Sequence, residues 1–348
     1  MGPLLPDPGT RSARWQRRAK GVAIELVAFV AITVTLPLLL PVAAAVDVML
    51  KVVARKRHAM GVRLVLLGWW FLAGELRGIA LLTAINAAAL GRDTRTRRRR
   101  VYRLRQRWTG GHLAGINRIF ELTYEIEGLE LVAPGPVVVF TRHASIIDNA
   151  LPDALLGKPH GLGFRFVIKR ELEVLPTIDV GGRWVPTVFV QRASGDTTRE
   201  LDAIRTLAID LEPDEGIAVY PEGTRHTTAR AARAQEVIAE RQPHLAPLAR
   251  GLKHLLPPRL GGPVALLDAT ADRGIDVVFC GHVGFDGFRS IKELWAGGLV
   301  GETIRMKLWR VPASEIPPGH DERIVWLYEQ WQRVDDWVGE QRARSTAA

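Results

Sequence analysis

The sequence predicts an α/β domain, a mixed central sheet covered by helices, preceded by an N-terminal helical region that associates with a membrane. Three observations predict it. Beyond Gly110 and Gly111, short β-branched runs alternate with helical stretches; before them lie two long apolar segments; and charge is split between the two parts. Residues 1–107 carry 20 of the 47 basic side chains and 5 of the 37 acidic ones, a net of +15, which leaves −5 on the remainder. The expected organisation is a basic segment over 1–20, a membrane-associated helical region over 21–109 (re-entrant or spanning), the α/β domain over 110–312 and a C-terminal amphipathic helix and tail over 313–348.

The first apolar segment, residues 26–46, is a run of 21 uncharged positions between Glu25 and Asp47. At about 1.5 Å per residue it just covers a hydrocarbon core of roughly 30 Å. Pro37 and Pro41 interrupt it and predict a bent or re-entrant helix. The second, 61–90, is broken by Arg63, Glu75 and Arg77 and suits the headgroup region, where Trp69 and Trp70 fit the boundary. Basic clusters at 11–20, 51–57 and 92–107 flank both segments. One crossing would part the first cluster from the others, so a hairpin in one leaflet, with all three on anionic headgroups, is expected ahead of a span, and the α/β domain is expected on the cytoplasmic side. The start looks like a signal peptide, but its apolar stretch is too long. The run Arg97 to Arg100 has no aromatic interleaving, so no nucleic-acid partner is expected. The single Cys280 excludes an intramolecular disulfide and a cysteine-based zinc site, points to a reducing compartment and is expected to be buried.

Strands are expected at 137–141, 164–169, 187–191, 217–220, 264–267 and 275–280, and helices at 146–157, 197–211 and 226–240. Near the end, Ile324, Leu327, Tyr328, Trp331, Val334 and Val338 recur at helical spacing and predict a helix packed on the domain, with membrane contact as the alternative.

Chemistry concentrates in three segments. VVVFTRHASIID, residues 137–148, reads as a buried strand entering a loop, with His143 and Asp148 separated by four residues. A carboxylate on one ring nitrogen fixes the tautomer, and the other nitrogen can then deprotonate an alcohol. Ser145 and Asp148 equally fit a helix capping box, and the two roles can coexist. YPEGTR, residues 220–225, follows another apolar strand. Gly223 permits close backbone approach, Thr224 donates hydrogen bonds and Arg225 offers a fork suited to phosphate; a plain turn is the alternative. Lys169 in VIKREL and Arg192 in VFVQR stand near strand ends, where two converging cations suit an anionic substrate and single ones are ordinary surface charge.

In this order the segments resemble the glycerophospholipid acyltransferase family, which includes lysophosphatidate acyltransferases, over roughly residues 120–285. The resemblance implies His143 as general base, Asp148 as its partner, Arg192 (with Lys169 nearby) on the acceptor phosphate, and Glu222, Gly223, Thr224 and Arg225 at the acceptor site. It implies an acyl-CoA or acyl carrier protein thioester as co-substrate, a lysophospholipid acceptor and membrane lipids as partners, with no metal or further cofactor. The expected reaction is acyl transfer to 1-acylglycerol-3-phosphate. LLPPRLGGPVALLDA, residues 255–269, departs from the commoner fourth motif; Pro258, Arg259 and Gly262 are similar to the lysocardiolipin acyltransferase branch, which makes phospholipid remodelling the runner-up. Arg142 stands where the family often has asparagine, an adjacent cation expected to lower the pKa of His143. No Gly-x-Ser-x-Gly elbow is present, which agrees with direct transfer. A non-enzymatic lipid-binding or scaffold protein is the alternative from another class.

Overall fold

The computed structural model describes residues 9–55, 58–88, 94–190 and 197–347. Three long helices come first: α1 (Arg11–Val53), α2 (Met60–Ala88) and α3 (Thr94–Phe120). Thr10 starts α1, its hydroxyl accepting the Ala13 N–H at 3.2 Å. Pro37 and Pro41 lie inside α1, which continues through both, so the expected interruption does not divide it. Asp47 accepts the N–H groups of Gly61 at 2.7 Å and Val62 at 3.0 Å, capping α2 from the neighbouring helix. The pairing of Asp47 with Gly61 and of Thr33 with Trp69, 3.0 Å apart, makes α1 and α2 an antiparallel hairpin. The two tryptophans expected at a lipid boundary serve helix packing: Trp69 donates to Thr33, and Trp70 donates to the Gly111 carbonyl at 3.0 Å over the space left by Gly115.

Both ends of the hairpin are tied to the α/β domain. At one end, Arg17 and Arg18 bind Asp179 at 2.9 and 3.0 Å, and the Thr177 hydroxyl donates to Glu75. At the other, Met60 is buried in the domain core, Arg63 pairs with Glu121, and His58 packs against Gly297. The hairpin therefore lies along the domain. Its outer face is apolar: Val27, Val34 and Leu38 are each about 70 % exposed. Both helices are long and apolar enough to cross a membrane.

The basic clusters correct the expectation that they all meet headgroups. Arg95 pairs with Glu212 at 2.7 Å, Arg98 with Glu215 at 3.1 Å, Arg99 with Asp214 at 2.8 Å and Arg105 with Asp153 at 2.6 Å, so one side of α3 binds the domain through charge. Lys56, Arg57 and Arg92 lie outside the described residues. α3 also runs through Gly110 and Gly111, so the boundary expected at 110 falls within a helix.

Seven strands form one mixed sheet: β1 (Thr123–Glu127), β2 (Val137–Thr141), β3 (Gly163–Lys169), β4 (Thr187–Val190), β5 (Glu215–Val219), β6 (Asp276–Val283) and β7 (Thr303–Val311), in the order β1-β7-β6-β2-β5-β3-β4. β6, β2, β5, β3 and β4 are mutually parallel; β7 is antiparallel to β6, and β1 is parallel to β7. In β2, Val138 and Phe140 join one core while Val137 and Val139 join the other, so the period of two feeds both faces. Helices α4 (Thr197–Thr206), α5 (Thr228–Arg241), α6 (Gly261–Thr270) and α7 (His320–Ala347) complete the frame. The strand expected at 264–267 is α6 instead: the run VALL is buried all round, and apolarity alone does not separate a buried helix from a buried strand. Cys280 is buried in β6, as expected. So is the apolar face of α7, with Leu327, Trp331, Val334 and Val338 fully covered; packing on the domain accounts for that helix.

Asp179 is the sole acceptor shared by Arg17 and Arg18 among the described residues. Asp179→Ala should speed amide exchange in the first turns of α1 about tenfold or more, with the sheet unchanged. Equal exchange in both proteins would show that this ion pair does not hold the hairpin down.

Candidate active site

Parallel pairing sets the ends of β2, β5 and β3 on one edge of the sheet, where the loops carry His143, residues 220–225 and Lys169. His143 is fixed from three sides. Its N–H donates to Glu222 Oε1 at 2.7 Å, its carbonyl accepts the His226 N–H at 3.4 Å, and its Nδ1 lies 3.2 Å from Asp148 Oδ2. The Tyr220 ring lies against the imidazole, centroids 4.7 Å apart, while the Tyr220 hydroxyl donates to the Asp148 carbonyl at 2.7 Å. Nε2 has no hydrogen-bond partner among the described residues, so the nitrogen able to act as a base is the one left open.

Asp148 is fully buried, and the turn it closes supplies its donors. The N–H groups of Ala144 and Ser145 donate to Oδ2 at 2.5 and 2.6 Å, the Ser145 hydroxyl donates to Oδ1 at 3.0 Å, and Ser145 Oγ accepts the Ile147 N–H at 3.0 Å. The capping and the histidine-pairing readings both hold, in one carboxylate. The helix expected over 146–157 is a 3-10 turn, Ile147–Ala150, followed by the wider helical turn Pro152–Gly157. Burial pushes the Asp148 carboxyl up, but His282, His143 and the Ser145 N–H outweigh it and leave it below the usual carboxylate range. An ionised Asp148 accepting from Nδ1–H is the form that leaves Nε2 with its lone pair.

Three further residues support the site, and of these His282 carried no sequence signal. His282, fully buried on β6, donates from Nε2 to the Arg142 carbonyl at 2.9 Å and lies 3.7 Å from Asp148 Oδ1; burial pushes its pKa down, against the opposing pull of Asp148. Arg142 is fully buried, bonded to the His282 carbonyl at 2.5 Å and to Asp286 at 2.7 and 3.2 Å, so the charge expected to act on the imidazole is matched by a carboxylate of its own. Tyr220 supports the ring face, although it was legible only as the first residue of YPEGTR.

Glu222 is expected at the acceptor site but is buried, with Oε1 on the His143 N–H and Oε2 on the Leu256 N–H at 3.1 Å. It shapes the loop that carries His143. Gly223 has φ +61°, and a Cβ there would stand 2.7 Å from Arg259 Cδ, so its bare side is filled by that arginine instead of a ligand. Thr224 and Arg225 are half-buried, and Arg225 donates to the Arg289 carbonyl at 2.5 Å. Lys169 ends β3, beyond β5 from β2. At about 4.8 Å per strand that is roughly 10 Å along the same edge. Arg192 lies outside the described residues, two positions after β4.

Residues 123–258 match the family described as Acyltransferase. Over that stretch the sequence is similar to the Acyltransferase family. The chain is similar in fold to the 1-acyl-sn-glycerophosphate (LPA) acyltransferase PlsC from Thermotoga maritima, with a TM-score of 0.52 over 80% of this chain and 96% of that chain at 15% identity. No curated protein matches the sequence. The acyltransferase resemblance read from RHASIID and YPEGTR agrees with that match, and the mixed, helix-covered sheet is that of the solved structure.

Burial pushes the Glu222 carboxyl up to about 7, moderated by the two backbone N–H groups and Arg142. The folded protein thus holds this proton more tightly than the unfolded chain, in which glutamate titrates near 4.5. Its stabilising contribution is complete below that value and is lost as pH rises through about 7, on the order of 3 kcal/mol at most. Melting of Glu222→Gln should therefore vary less between pH 5 and 8 than melting of the unsubstituted protein; identical slopes would contradict the assignment.

Proposed function

We propose that the protein transfers a fatty acyl group from an acyl thioester, on coenzyme A or acyl carrier protein, to the free hydroxyl of a lysophospholipid, most simply 1-acylglycerol-3-phosphate. The observation that carries this reading is the His143 imidazole, held on Asp148 through Nδ1 and open at Nε2. Nε2 takes the acceptor's hydroxyl proton, the oxygen attacks the thioester carbonyl, the new C–O bond forms as the C–S bond breaks, and the imidazolium returns the proton to the departing thiol. Asp148 stabilises the cation in between. No acyl-enzyme is required.

Arg225, Lys169 and Arg192 are assigned to the acceptor phosphate, with Thr224 as an auxiliary donor. Parallel strand ends supply one edge for the first two, which supports the assignment. The hairpin is assigned to one leaflet. Both its ends are tied to the domain, an arrangement that favours insertion lengthwise over crossing, and the exposed face of α1 supplies the apolar contact. A remodelling acceptor is the second reading, favoured by Arg259, an exposed cation placed over Gly223.

General-base catalysis is worth roughly 10²- to 10⁴-fold, so His143→Ala should lose at least about that factor in turnover while remaining folded and bound to vesicles. Near-normal transfer by this variant would overturn the proposal. Asp148→Asn should lower kcat more than it raises KM, since it removes imidazolium stabilisation at nearly constant volume. Mass spectrometry of products from mixed lysolipids identifies the acceptor.

A further inference from the structure

The C-terminal helix α7 lies beyond the residues that match the acyltransferase family, yet two chains of hydrogen bonds run from it to His143. The first begins at Arg342, which binds Asp286 Oδ1 at 2.9 Å. The same oxygen holds the Arg142 guanidinium at 2.7 Å, and Arg142 is the residue directly before His143. Every main-chain polar group of Arg142 is also engaged on β6: its N–H donates to the Cys280 carbonyl at 3.0 Å, and its carbonyl accepts from His282.

The second chain begins about two to three turns earlier on α7. Asp335 accepts the N–H groups of Lys253, His254 and Leu255 at 3.0, 2.7 and 2.7 Å, and Trp331 donates to the Leu256 carbonyl at 3.1 Å. The Leu256 N–H in turn binds Glu222, whose other oxygen holds the His143 N–H. Arg142 and the peptide that joins it to His143 are thereby tied to the same helix by two routes.

We propose that α7 is a positioning element of the active site, with Arg342 and Asp286 holding the Arg142 strand end so that His143 is presented at a fixed height and angle. This rests on the acyl-transfer reading for its effect on rate, but not for its effect on the loop. Arg342 is one-third exposed, and the buried Leu327, Trp331, Val334 and Val338 keep the helix docked when Arg342 is replaced.

The test is Arg342→Gln in the full chain, beside Arg342→Lys and Arg344→Gln. Arg344, exposed two positions beyond Arg342, has no ion pair among the described residues, so it controls for lost charge alone. Arg342→Gln should raise amide exchange over residues 141–148 and lower kcat, each about tenfold, at unchanged melting temperature and with KM within about twofold. Arg342→Lys should recover most of both, and Arg344→Gln should change neither. Unchanged exchange over 141–148, or a loss matched by Arg344→Gln, or one that follows a general fall in stability, would overturn the proposal. Should the unsubstituted protein transfer no acyl group from either thioester to any lysolipid tried, the acyl-transfer reading fails, and the exchange measurement still decides the role of α7.

Discussion

A carboxylate taken out of water is costly unless donors replace its hydration, and the arrangement around Asp148 meets that demand from within its own turn. The N–H groups of Ala144 and Ser145, the Ser145 hydroxyl and His143 Nδ1 all converge on it. Charge and turn stabilise each other: the donors point inward only if residues 143–148 adopt this path, and the path leaves orphaned N–H groups unless the carboxylate is there. The His143 tautomer, the open Nε2 and the seat of Tyr220 all follow from that one buried charge.

The same economy of charge organises the N-terminal third. A net of +15 over residues 1–107 reads as a surface for anionic lipid, yet Arg17, Arg18, Arg95, Arg98, Arg99 and Arg105 are bound to carboxylates of the α/β domain, which is the part carrying net negative charge. The imbalance between the two parts thus acts first as adhesion between them. Attached at both ends, the hairpin has its apolar side outward.

Much of this was legible before any coordinates. The central parallel strands are buried β-branched runs, and the histidine and carboxylate were marked by their spacing after the first of them. The two strands at one end of the sheet, β1 and β7, were not, because TYEIE and TIRMKLWRV alternate polar with apolar residues and have one face open. The run at 264–267 was misread because a helix buried all round has no period to reveal it. Glu222 was legible as important but not as a support: nothing in EGTR indicates that its carboxylate turns inward to the His143 and Leu256 N–H groups. His282, Asp286 and Arg342 lie 139 or more positions from His143 in sequence, and only the strand order brings them beneath it.

The central claim is that Asp148 holds the His143 imidazole with its proton on Nδ1 and its lone pair on Nε2. Nitrogen-15 resonance of the histidine side chains reads this directly, with His143→Gln to assign the signals. At a pH where the ring is neutral, the predicted spectrum has His143 Nδ1 protonated and Nε2 bare, and Asp148→Asn mixes the two tautomers. A His143 ring protonated at Nε2, or one unaffected by Asp148→Asn, would contradict the account.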